Sequence, residues 1–155
     1  MNLFLVVVGK PRSAGGGEAI RDYEIRAGRY WPLAVREVRE ESARSRTREQ
    51  VVEREGERLL GAVAEGSLVV ACDERGTAMR SEEFAEWLRG ERERADRDVA
   101  FVIGGAYGLS DAVTRRAGMR LALAPWTLPH ELARLVLSEQ LYRAGTIIRG
   151  EPYHK

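Results

Sequence analysis

The chain has 155 residues, 44% of them apolar, with 25 Lys and Arg against 24 Asp and Glu. That length suits one domain and hides roughly 70% of the unfolded surface in a core that needs no staples; the apolar share excludes global disorder. A net charge of +1 removes the simple argument for nucleic-acid binding, and a lone cysteine, Cys72, excludes an internal disulfide or a zinc ribbon.

Leu3 to Val8 is a continuous apolar run ending at Gly9, the pattern of a strand covered on both faces in a parallel sheet. It is far too short to cross a bilayer, which takes about 20 residues. No basic leader or small-residue cleavage site precedes it, so a cytoplasmic location is expected. Gly9 to Gly17 predicts a mobile loop, and Glu18 to Ala27 a short helix with Ile20, Tyr23 and Ala27 on one face. Leu33 to Val38 predicts a second strand. The charge-dense stretch 39–50 predicts an exposed, partly mobile loop. Thr47 opens a helix, with Gln50 at the spacing of a capping box, a stripe of Val52, Leu59 and Val63, and a stop at Gly66.

Leu68 to Asp73 predicts a third strand, followed by a turn to Met79. Ser81 caps a helix through Phe84, Trp87 and Leu88. Val99 to Ile103 predicts a strand that runs into Gly104-Gly105-Ala106-Tyr107-Gly108. Ser110 caps a short helix ending near Gly118, and Leu121 to Leu123 predicts a short strand. Pro125 and Pro129 bracket a rigid loop before a helix from Glu131 to Ala144, with Leu132, Leu135, Val136 and Leu141 turned to the core and Gly145 at its end. The alternation predicts one α/β domain over residues 1–155: a mostly parallel sheet flanked by helices.

Ligands of such sheets bind outside the carboxyl ends of the strands. Three loops are therefore of interest: the one after Cys72, Gly104 to Gly108, and Ala124 to Pro129. The glycines allow close approach to backbone, although a tight turn with no ligand explains them equally well. The sequence matches neither a dinucleotide fingerprint nor a P-loop. Pro125 to Pro129 reads either as a packed connection or as a preformed wall for a flat ligand. Cys72, on a buried strand, reads as an inert small hydrophobe. His130 stands at a helix start. Arg143, Arg149, Tyr153 and His154 gather base-stacking, phosphate-binding and proton-transfer chemistry in the C-terminal stretch.

Several motifs together resemble the RlmH family, SPOUT-class methyltransferases that modify pseudouridine in helix 69 of 23S ribosomal RNA. They are Leu3 to Lys10, Glu55-Gly56-Glu57, Leu68 to Asp73 with Ser81 to Ala85, Phe101 to Ser110, and Thr127-Leu128-Pro129-His130 continuing through Glu139 to Ala144 and on to Pro152-Tyr153-His154. The likeness spans essentially the whole chain. It implies a C-terminal trefoil knot, and S-adenosylmethionine held there by Cys72, Gly104, Gly105, Ala124, Pro125, Trp126, Thr127, Leu128 and Pro129. It also implies a homodimer in which one protomer's C-terminal tail completes the other's site. Trp126 is bulkier than the family's usual residue beside the threonine, and Gly15 to Gly17 enlarges a loop.

The reaction expected on this basis is methyl transfer to N3 of the pseudouridine on the assembled ribosome, with no metal and no membrane taking part. His130 and His154 are candidates for the proton step, Arg143 for anion or phosphate binding, and Tyr153 for stacking on or orienting the base. Near-neutral charge fits a substrate in which ribosomal RNA and protein surfaces both contribute, so whole ribosomes are expected to outperform an isolated stem-loop. The alternatives are a knotted methyltransferase for another RNA position, a non-catalytic ribosome-associated nucleotide-binding module, or a Rossmann-type methyltransferase. The last is disfavoured because its glycine motif belongs after the first strand.

Overall fold

The computed structural model describes Met1 to Tyr153 in full and the backbone of His154. Strands β1 (Leu3–Val8), β2 (Leu33–Val38), β3 (Leu68–Ala78), β4 (Val99–Ile103) and β5 (Met119–Ala122) form one sheet in the order β2-β1-β4-β3-β5. Every pairing is parallel. The helices are α1 (Ala14–Ala27), α2 (Arg48–Gly61), α3 (Ser81–Arg94), α4 (Asp111–Arg116) and α5 (His130–Ile148), with a short 3-10 turn at Pro152–His154.

Alternation along the strands divides the core in two. Leu3, Leu5, Val7, Val99, Phe101 and Ile103 pack with residues of α1, α3 and α5 on one face. Val6, Val8, Ala100 and Val102 pack with Leu59 of α2 and Val113 of α4 on the other. Both faces of the central strands are therefore dry, which is why these strands are runs of Val, Leu, Ile and Phe with no polar alternation.

Several details differ from the sequence-based expectation. Gly15 to Gly17 is the first turn of α1 and not a loop, because Ser13 caps the helix by accepting from the Gly16 N–H. A Cβ at Gly16 would fall 2.6 Å from the Glu131 carboxylate, so glycine permits a close approach there. The capping box of α2 is present, but Val51 instead of Val52 is buried, and the helix ends at Gly61. Ser81 is the first helical residue of α3 and Arg80 its cap, and the Ser81 hydroxyl donates to Gln140. Strand β3 continues past Asp73 to Ala78, with a register shift between Cys72 and Thr77. Strand β5 begins two residues early, at Met119.

Helix α5 keeps its type but not its expected phase. Leu132 is 43% exposed, while Ala133, Leu137, Leu141 and Ala144 are buried, with Leu135 and Val136 between. Gly145 lies inside the helix because the Tyr30 ring rests on it. Buried Arg134 turns to Glu24 of α1 and Glu37 of β2, at 2.7 and 2.9 Å. The Trp31 indole N–H donates to the Leu141 carbonyl at 2.9 Å. These contacts anchor α5 across the sheet. Its first residue, His130, lies beside Gly9, Lys10 and Pro11 at the end of β1, although β5 sits at the opposite edge. The connection from Leu123 to Pro129 thus runs back along the carboxyl ends of the strands.

Candidate active site

That returning connection borders a cavity of about 650 Å³. Three loops meet there: Cys72 to Arg75 after the first part of β3, Ile103 to Leu109 after β4, and Thr127 to His130 leading into α5. The topology brings together the loops that sequence reasoning singled out. Cys72, Gly104, Gly105, Thr127, Leu128, Pro129 and His130 all line the cavity. Ala124 and Trp126 line a smaller recess beside it that shares Cys72, Asp73, Glu74, Leu128 and Ala133. Pro125 is exposed and lines neither.

The glycine turn is shaped by its own backbone. A Cβ at Gly104 would fall 2.6 Å from the Gly108 carbonyl, and one at Gly105 would fall 2.5 Å from Glu55 Oε2. Gly108 has φ +86°, and its N–H closes the turn onto the Gly105 carbonyl. Both geometric demands select glycine. Behind the turn Glu55 is 2% exposed and accepts the Glu41 N–H through Oε1, and burial pushes its carboxyl pKa upward.

The opposite wall carries charge. Burial would raise the Asp73 carboxyl, but the Arg75 backbone N–H and the Arg120 and Arg75 guanidinia outweigh it and hold the group at about 2. Asp73 therefore stays ionised and tied to the β3 excursion. Cys72 is half-buried where β3 meets the cavity, and burial pushes its thiol up to about 12. Sequence reasoning did not single out Arg48, Asp73, Arg75 or Tyr107 as site residues, yet all four line the cavity. Arg48 offered no local signal, since it reaches the cavity from the start of α2.

Arg143 and Tyr153 lie elsewhere. Arg143 is thirteen residues beyond His130 on one helix, about 20 Å along the axis. It pairs with Glu139 at 2.7 Å and stacks over the Tyr153 ring. Tyr153 folds back on α5, with its ring centroid 4.6 Å from that of Tyr142 and its hydroxyl donating to Glu139 at 3.1 Å. Burial and the Tyr23 and Glu139 contacts raise its phenol pKa. The side chain of His154 lies outside the described residues.

A family model described as "Predicted SPOUT methyltransferase" matches residues 1–154. The chain belongs to the SPOUT methyltransferase family. Relatives agree along its whole length. A ribosomal RNA large subunit methyltransferase H from Gemmatimonas aurantiaca is 61% identical over 155 residues, covering 100% of both chains. One from Anaeromyxobacter is 50% identical with the same coverage. The fold also aligns with a solved probable methylase family protein from Haemophilus influenzae, at TM-score 0.56 and 19% identity, over 99% of this chain and 70% of that one. No helix of the described residues is long and apolar enough to cross a membrane.

Proposed function

We propose that this chain transfers a methyl group from S-adenosylmethionine to N3 of a pseudouridine in helix 69 of 23S ribosomal RNA, acting as a cytoplasmic homodimer on assembled ribosomes. The observation that carries this reading is the full-length 61% identity to a ribosomal RNA large subunit methyltransferase H.

The cavity fits the donor in size and chemistry. Its volume lies within the usual range for small-molecule sites. Ile103, Leu109, Leu128 and Ala133 supply apolar surface for a flat base, while the backbone of Gly104 to Gly108 and Thr127 to Pro129 supplies donors and acceptors for its edge. Cys72, Gly104, Gly105, Thr127, Leu128 and Pro129 would hold the donor, with Ala124 and Trp126 at the adjoining recess. When bound, the donor supplies an electrophilic methyl on a sulfonium centre. The chain's own residues place the acceptor base and manage the imino proton that N3 must lose. His130 stands at the cavity for that step, with His154 as the second candidate. Arg143 suits the anion left on the base, and Tyr153 suits stacking.

Arg143 and Tyr153 are too far from their own cavity to act in it, which supports a site completed by the C-terminal end of a second copy. The trefoil knot belongs to the same reading. It is supported by the return of Leu123 to Pro129 across the strand ends and by the tight approach of the β3 excursion to β5, where a Cβ on Gly76 would fall 2.5 Å from the Arg120 carbonyl carbon.

The test is mass spectrometry of ribosomal RNA after incubating ribosomes with the protein and methyl-labelled S-adenosylmethionine. One labelled methyl on the helix 69 pseudouridine is expected, at a level well above that on an isolated stem-loop. Label on another nucleotide, or none, would overturn the assignment. Equal labelling of the stem-loop would remove the ribosome requirement.

A further inference from the structure

Next to the main cavity lies a second of about 580 Å³, lined by Arg12, Glu40 to Arg44, Val51, Glu55, Ala106 and Tyr107. The two cavities share Ala106 and Tyr107, so the tip of the glycine turn is a partition between them. Tyr107 is 39% exposed, and the Arg48 guanidinium lies over its ring at 5.1 Å. Two of the cavity's three carboxylates are held in ion pairs, while Glu55 has a buried Oε2 without a hydrogen-bond partner. Glu40 is paired with Arg12, Glu41 is held between Arg46 and Arg58, and Glu55 is buried behind the turn. Among the described residues neither Arg44 nor Arg48 has a carboxylate partner, although the chain is rich in ion pairs. An exposed aromatic ring with the Arg48 guanidinium over it and Arg44 lining the same cavity has the chemistry that takes a single-stranded nucleotide: a π-face for the base and cations for the phosphate.

We propose that Tyr107, with Arg48 and Arg44, forms a platform for an unpaired RNA nucleotide adjacent to the one being methylated. The inference rests on the methyl-transfer reading of the main cavity. It supplies what net charge does not: a local, direction-giving contact beside the methyl donor. The base stacks at Tyr107, and the phosphate meets Arg44 on the side away from the donor. The second cavity holds this flanking nucleotide while the target base enters the first.

The experiment measures ribosome binding by filter retention and ribosome methylation in parallel, for the wild-type protein, Tyr107→Ala, Tyr107→Phe and Arg44→Gln. Tyr107→Ala is expected to weaken ribosome binding and raise the KM for ribosomes about fivefold or more, a larger change than in the KM for S-adenosylmethionine. Tyr107→Phe keeps the ring and restores both values. Arg44→Gln lowers the slope of log affinity against log salt by about one. A Tyr107→Ala effect confined to the donor constant, failure of Tyr107→Phe to rescue, or an unchanged salt slope in Arg44→Gln would overturn the platform. Wild-type protein that binds ribosomes in a Tyr107-dependent way but transfers no methyl would sink the methyl-transfer reading and leave the platform standing.

Discussion

The separation of the two halves of the expected chemistry makes a quantitative prediction. His130 lines the cavity, while Arg143 lies about 20 Å further along α5 with Tyr153 packed near it. A pseudouridine ring cannot touch both ends of that span, so the proposed function assigns the C-terminal residues to a cavity on another copy. Two variants separate the halves. Gly105→Val fills the glycine turn, where a single Cβ already falls 2.5 Å from Glu55 Oε2. The double change Tyr153→Ala, His154→Ala removes the tail chemistry. Each homodimer should lose about a hundredfold or more in turnover, the scale of a lost proton-transfer or positioning group. Mixed at equal amounts with random exchange, half of the dimers carry both variants. Each of these keeps one intact site out of two, so the mixture should recover about a quarter of wild-type activity. The assay is methyl incorporation into ribosomes after co-expression, with native mass spectrometry to count mixed dimers and thermal melts to confirm folding. Mixed dimers that form but remain as inactive as their parents would refute the shared site. A tail variant with wild-type turnover would refute it equally.

The Asp73 carboxyl, held at about 2 against an ordinary 3.8, contributes stability that is present above pH 4 and lost as pH falls toward 2. Asp73→Asn should flatten that acid limb of the unfolding free energy, read from urea titrations, by at most about 2 kcal/mol; an unchanged limb would show that the Arg75 and Arg120 contacts contribute nothing net. Cys72, half-buried at the cavity wall with its thiol pushed up to about 12, should react with a thiol reagent at pH 8 far more slowly than the denatured protein does, and equal rates for the two would contradict the raised pKa. Gly145→Ala drives a methyl into the Tyr30 ring and should cost about 1–3 kcal/mol in equilibrium unfolding, whereas a neutral result would mean that the ring moves freely.

The sheet was legible because its strands carry an unambiguous signal. Leu3 to Val8 and Val99 to Ile103 are short runs apolar on successive residues, a length and pattern that suit a strand covered on both faces, and both match the observed bounds. The helices were legible in number but less so in phase. In α5 the apolar positions Leu132, Leu135, Val136 and Leu141 suggest one buried stripe. The real stripe passes through Ala133, Leu137, Leu141 and Ala144. Arg134 decides this, because its guanidinium finds two carboxylates on α1 and β2 and can therefore be buried. Those partners are about a hundred residues away in sequence, beyond the reach of any local pattern. Gly15 to Gly17 misled for a related reason: three glycines argue against a helix until Glu131, equally remote, closes on the Ser13 cap.

The site divides along the same line. Loops that leave the carboxyl ends of parallel strands have to meet at one edge, so the segments after Cys72 and Ile103 and before His130 are legible in the sequence as the rim of the cavity. Which side chains face it was a different matter. Tyr107 sits at a turn whose neighbours are glycine and alanine, and its exposure is set by the Gly105–Gly108 closure. Arg48 arrives from a helix that covers the opposite face of the sheet, through a stacking contact that sequence spacing does not encode. A backbone-built pocket therefore declares itself in sequence through its glycines and prolines. The side chains that would choose its RNA come from distant elements and appear only when the fold brings them to the rim.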